Sequence, residues 1–144
     1  MHRLIKIRIL RDFNQLEDRV RRWMDQVFDF QEAGAPFRPP VDFYETAQGL
    51  VLRLELAGVS SEDLTVILCG QELIIRGQRR HVPPAGAIRF IHHEMSYGSF
   101  ERKFFIPADI DADGLQARYA EGILEISLPR RVPSSRRIPV QDAE

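Results

Sequence analysis

A chain of 144 residues has room for one domain with flanking segments. Its 44% hydrophobic and 28% charged content excludes a disordered or membrane-embedded chain, and 20 basic against 21 acidic residues leave no overall positive field to draw in nucleic acid. A lone cysteine, Cys69, rules out an intrachain disulfide. No stretch reaches the ~20 apolar residues of an integral membrane span, and Lys6 and Arg8 interrupt any signal-peptide core, so a soluble cytoplasmic protein is expected.

In chain order, Ile5, Ile7 and Ile9 alternate with Lys6 and Arg8, a pattern open to a short strand or a basic arm. From residue 12 to residue 31 the period turns helical: Phe13, Leu16, Val20, Trp23, Val27 and Phe30 recur at spacings of three and four, with Met24 and Phe28 widening the stripe. Asp12 and Gln15 read as an N-cap with a loose capping box. This amphipathic helix is expected to pack on the domain or a neighbouring subunit, or to contact apolar segments of other proteins. Asp18, Asp25 and Asp29 dilute the basic face that a membrane-surface helix needs.

Gly34, Pro36, Pro39 and Pro40 mark a linker, which sets residues 1–39 apart as an N-terminal arm. The domain is expected over residues 40–129. A first strand covers 41–46; Leu50, Leu52, Leu54 and Leu56 then alternate cleanly with outward Arg53 and Glu55. Leu64, Val66 and Leu68 form the next strand, Gly70-Gln71 turns, and Leu73 and Ile75 return. Residues 76–97 are long and polar, yet contain Ile88, Phe90 and Ile91; a connection of that length in a compact domain is usually functional or disordered. Three more strands follow, carrying Phe100, Phe104 and Ile106, then Leu115, Ala117 and Tyr119, then Leu124, Ile126 and Leu128, with a tight turn at Ala120-Glu121-Gly122. Short alternating strands with turn signals predict an all-β, antiparallel, immunoglobulin-like sandwich. Residues 130–144 form a polar extension bearing Ile138-Pro139-Val140, whose two apolar side chains share a side when extended. Pro139 favours docking into a side-chain groove over extending a sheet.

Chemistry-bearing patterns are few. Asp109-Ile110-Asp111-Ala112-Asp113-Gly114 opens like a calcium loop, but the twelfth position, where a bidentate glutamate is required, is Ala120. Adjacent His92 and His93 on a strand face opposite ways and cannot share an ion, although either could sense pH at a dimer contact. Cys69 reads as a buried strand cysteine. Neither a phosphate-cradling glycine loop nor a nucleophile elbow occurs, so no enzyme activity, metal or cofactor is expected. Arg102 shares a side with Phe100 and Phe104, where an unpaired charge is costly; it is expected to find a carboxylate or backbone carbonyls at a dimer contact.

Ala117-Arg118-Tyr119-Ala120-Glu121-Gly122-Ile123-Leu124 resembles the A-x-x-x-N-G-V-L signature of the small heat-shock proteins, the α-crystallin family, with Glu121 for the usual Asn and Ile123 for Val. Gly98-Ser99-Phe100-Glu101-Arg102-Lys103-Phe104-Phe105-Ile106-Pro107 is similar to that family's G-x-F-x-R-x-F-x-[IL]-P strand. The stretch from Ala57 to Leu64 matches its turn, with Ala57 where proline is usual. The resemblance implies an α-crystallin domain and an ATP-independent holdase whose partners are unfolding client proteins, later handed off to ATP-dependent chaperones. It implies dimers in which residues 87–93 of one subunit dock as a strand on residues 41–45 of the other, with Val41, Phe43, Ile88, Phe90, His92 and Arg102 at the interface. Ile138-Pro139-Val140 resembles the family's I-x-[IV] tail motif. Its groove would be lined by Leu64, Val66 and Leu68 on one strand and Leu115 and Ala117 on another, with dimers linked into larger homo-oligomers. Ten residues separate Ile138 from Leu128, a reach of ~33–36 Å. Clients would meet Phe13, Leu16, Val20, Trp23, Val27, Phe28 and Phe30 of the arm. The alternative is a β-sandwich adaptor, like the related CS-domain co-chaperones, that binds one folded partner as a monomer or dimer and has no use for Ile138 and Val140.

Overall fold

The computed structural model describes residues 3–10 and 37–141. The predicted helix over 12–31, with Phe13, Leu16, Val20, Trp23, Val27, Phe28 and Phe30, lies outside the described residues. Each alternating stretch of the domain forms a strand: β3 (Val41–Glu45), β4 (Gly49–Glu55), β5 (Leu64–Cys69), β6 (Glu72–Arg79), β7 (Gly98–Phe105), β8 (Gln116–Ala120) and β9 (Ile123–Pro129). Two further strands, β1 (Arg3–Ile5) and β2 (Ile7–Leu10), precede them. The strand reading of the N-terminal alternation is therefore the one realised.

The strands make two sheets, ordered β1-β8-β9-β4-β3 and β2-β5-β6-β7, which face each other as the expected all-β sandwich. Neighbours are antiparallel throughout except for β2, which runs parallel to β5. Period-2 alternation places Leu52, Leu54, Leu124, Ile126 and Leu128 of one sheet, and Val66, Leu73 and Ile75 of the other, in a single fully buried layer. Each such aliphatic stabilises the fold by ~1.5–3 kcal/mol on burial.

Two places differ from a plain reading of the chain. The Pro- and Gly-rich linker is partly core: Phe37 is buried, with its ring edge-on to Phe100 at 5.4 Å, and Pro39 is fully buried beside it in the chain. Residues 87–93, expected as a strand, are irregular here. A strand needs a ladder partner to satisfy its backbone groups, and the expected partner was a second chain.

The hairpin between β8 and β9 closes through Glu121 and Gly122, both at positive φ (53° and 75°), the geometry of a type I′ turn. A Cβ on Gly122 would also lie 3.0 Å from the Ala57 backbone. The calcium-like run instead makes a short 3₁₀ turn: Asp111 caps it by accepting from the Asp113 amide at 3.1 Å, and Asp109 accepts from Arg130 Nε at 3.1 Å.

Candidate functional site

Three surfaces matter: the rim along β5 and β8, the edge at β3, and the C-terminal tail. The first lies between β5 and β8. Leu64, Val66 and Leu68 are buried on β5 and Ala117 on β8, and half-buried Leu115 packs on the same core, so the five residues expected to line a groove all belong to one hydrophobic cluster. The N-terminal strands lie along this rim. Arg3, Leu4 and Ile5 pair with Tyr119, Arg118 and Ala117; after Lys6 the chain changes sheet, and Ile7, Arg8, Ile9 and Leu10 pair with Val66, Ile67, Leu68 and Cys69. Ile5 and Ile7 pack on the core while Lys6 stays exposed, so the segment bridges the rims of both sheets.

The second surface is the opposite edge of the first sheet. There β3 pairs only with β4 among the described residues. Val41 leans on the core, but Phe43 is 40% exposed, with its ring edge-on to Phe104 at 5.9 Å. Arg102 joins this group: its guanidinium lies 5.3 Å from the Phe104 ring centre, and Nη1 donates to the Pro39 carbonyl at 2.6 Å. Burial, and secondarily the like charge of Arg38, lowers its pKa. The expected backbone carbonyl is thus found within the same chain.

The loop expected to reach such an edge stands apart. Ile88 is almost fully exposed, and Phe90 stacks on His93 with ring centres 4.2 Å apart and planes 11° from parallel. His81 lies 5.4 Å from His93 and 4.7 Å from Tyr97, completing a small aromatic cluster. His92 is exposed beside it. Among the described residues no three His, Cys, Asp or Glu side chains are grouped to hold a metal ion.

The third surface is the tail, where Ile138 and Val140 are 80% and 90% exposed on a segment outside any strand.

Two positioning residues escape sequence reasoning. Arg79 donates to the Ser96 carbonyl from Nε at 2.8 Å and to the Ala57 carbonyl from Nη1 at 3.3 Å, with its guanidinium 3.8 Å from the Phe37 ring centre. It pins the base of the exposed loop to the sandwich. The Tyr119 hydroxyl lies 2.7 Å from the carbonyls of both Leu56 and Val59, tying β8 to the turn after β4, and burial raises its pKa. Neither an arginine in a polar stretch nor a strand tyrosine announces its partner locally.

Residues 42–141 match the model of the Hsp20/alpha crystallin family. The chain is 33% identical over 95 residues to spore protein SP21 of Stigmatella aurantiaca, a match covering 66% of this chain and 56% of that protein. It is 33% identical over 93 residues to small heat shock protein C2 of Rickettsia felis, covering 65% and 60% respectively. The chain thus spans little more than half the length of these curated relatives. A crystal structure of a small heat-shock protein from Xylella fastidiosa superposes with a TM-score of 0.67 at 35% identity, covering 75% of this chain and all of that one. No described helix is long and apolar enough to cross a membrane.

Proposed function

Because the chain belongs to the Hsp20/alpha crystallin family, we propose that it is a chaperone of the ATP-independent holding kind, which binds unfolding proteins through apolar surfaces and keeps them from aggregating. The observation that carries this reading is the set of large apolar side chains held outside a closed core: Phe43 at an open sheet edge, Ile88 in the loop, and Ile138 and Val140 on the tail. Hydrophobic burial is non-directional, so such surfaces bind without a sequence code. An apolar surface left permanently open is an aggregation liability, which favours assembly as the resting state.

In that assembly the loop of one subunit pairs with β3 of another, placing Ile88, Phe90 and His92 against Val41 and Phe43 near Arg102. The tail of one dimer docks Ile138 and Val140 over Leu64, Val66, Leu68, Leu115 and Ala117 of the next. Dissociation frees these surfaces, together with the arm residues Phe13, Leu16, Val20, Trp23, Val27, Phe28 and Phe30, for clients in the cytoplasm, which pass afterwards to ATP-dependent chaperones.

The test is light scattering from a heat-labile client warmed with and without this chain, in the absence of nucleotide. Suppression near a one-to-one ratio, weakened by Trp23→Ala or Phe28→Ala, is the expected outcome. Undiminished aggregation over a range of temperatures and ratios rejects the holding activity and leaves an adaptor for one folded partner.

A further inference from the structure

We propose that the groove between β5 and β8 is one site contested by two segments of the same sequence. Ile5-Lys6-Ile7 of the chain itself holds it in the isolated subunit, and Ile138-Pro139-Val140 of a second copy must displace that segment to dock. The proposal rests on the tail-docking reading above and adds to it a plug that decides when docking happens.

The two tripeptides present the same shape. Each sets two aliphatic side chains at positions i and i+2 around a residue that faces away from the core or lacks a core contact: Lys6 is exposed between Ile5 and Ile7, and Pro139 sits between Ile138 and Val140. Ile5 lies opposite Ala117 and Ile7 opposite Val66, so both rims of the groove are engaged by adjacent links of one segment. Two segments cannot take these edges together, because residues 3–5 and 7–10 already occupy the pairing positions beside residues 117–119 and 66–69.

The contest is unequal. The N-terminal segment adds backbone pairing on both sides, three positions with β8 and four with β5. The tail cannot reproduce this, since Pro139 has no N–H to donate. The segment also belongs to the same molecule, so its rebinding is intramolecular and needs no second copy, whereas the tail must come from another chain. A ligand whose site is open only a fraction of the time binds more weakly by that fraction. A single free tail is therefore a poor competitor, and several tails presented together, or conditions that fray residues 3–10, tip the balance toward assembly.

The experiment uses the full chain with its own tail motif silenced by Ile138→Ser and Val140→Ser, and a fluorescent peptide of residues 134–142, SSRRIPVQD, titrated by anisotropy. Adding Ile5→Ser and Ile7→Ser is expected to tighten peptide binding at least ~10-fold, whereas a peptide with serine at both aliphatic positions binds neither protein. A second measurement needs no substitution: hydrogen exchange of residues 3–10 in the wild-type chain, slow alone and accelerated by excess peptide. Equal peptide affinity with and without the Ile5 and Ile7 substitutions overturns the contest. So does rapid exchange of residues 3–10 before any peptide is added; the tail-docking reading then survives if the peptide still binds. Absence of binding to both proteins, with residues 3–10 still slow to exchange, overturns the docking reading itself and leaves those residues as a permanent part of the sheets.

Discussion

Along the rim formed by β5 and β8, residues 3–10 supply backbone partners to both sheets and lay Ile5 and Ile7 on the core. Along β3 the backbone has a partner on one side only, and Phe43 and Tyr44 are left 40% and 44% exposed. The segments that could close such edges look alike: Ile5-Lys6-Ile7 and Ile88-Arg89-Phe90 share one apolar-basic-apolar pattern. One joins two paired strands and the other is an irregular exposed loop. Alternation therefore qualifies a segment to be a strand, and the reach of the chain to a free edge decides whether it becomes one.

The largest way to break this contrast is to put a charge on each side of it. Ala117→Arg buries a guanidinium beneath Ile5 and is expected to destabilise the fold by at least ~3 kcal/mol. Tyr44→Arg at the open edge is expected to stay within ~0.5 kcal/mol in the monomer. Urea unfolding of both variants reads the difference, and equal losses would mean that the two edges are alike.

Next in size, Ile88→Ser with Phe90→Ser is expected to weaken dimers at least ~100-fold, about 2.7 kcal/mol, with the circular dichroism of the sandwich retained. Sedimentation at several concentrations checks this, and an unchanged dimer constant would remove the loop from the open edge.

Smaller is Tyr119→Phe, on the closed side, which strips a hydroxyl from the Leu56 and Val59 carbonyls and is expected to cost about 1–2 kcal/mol. It also carries a pH signature. Burial raises the folded-state pKa of Tyr119, so its contribution is fully present below the unfolded value of about 10 and is lost as pH rises through the folded one. The phenylalanine variant should lose less stability on that alkaline limb than the wild type.

Smallest, and in the opposite direction, is Glu121→Asn. Glu121 is the sole non-glycine residue at positive φ among the described residues, and asparagine tolerates that geometry far better, so a gain of about 1 kcal/mol is expected in thermal unfolding.

Most of the sandwich is legible in the sequence because its strands are half-buried and so alternate: Leu50 to Leu56, Leu64 to Leu68 and Leu124 to Leu128 each show their inward face directly. Leu64, Val66, Leu68 and Ala117 are legible as inward positions for the same reason, while their assignment to a tail-docking groove comes from the resemblance alone. What could not be read is pairing at long range. Nothing local to Ile5 and Ile7 names Ala117 or Val66 as their partners, and the parallel run of β2 beside β5 has no turn to signal it. The arginines were opaque for a related reason. Arg79 donates to the carbonyls of Ser96 and Ala57, and a carbonyl has no signature in the sequence; for Arg102 a carbonyl partner was expected, but not that it would be Pro39 of the same chain. Phe37 was hidden by its neighbours, since prolines around it signal a linker while its own ring is core.

The position of β1 and β2 also sets a timetable for biosynthesis. They are made before the strands they pair with, and β1, which pairs with residues 117–119, cannot be seated until β8 has been made. At ~5–20 residues per second, translating the intervening chain takes on the order of 5–20 s. β2 can pair with β5 once residue 69 is made, but Ile5 waits for β8, and Lys6 and Arg8 are charged breaks of the kind that limit aggregation of an exposed apolar stretch in the meantime.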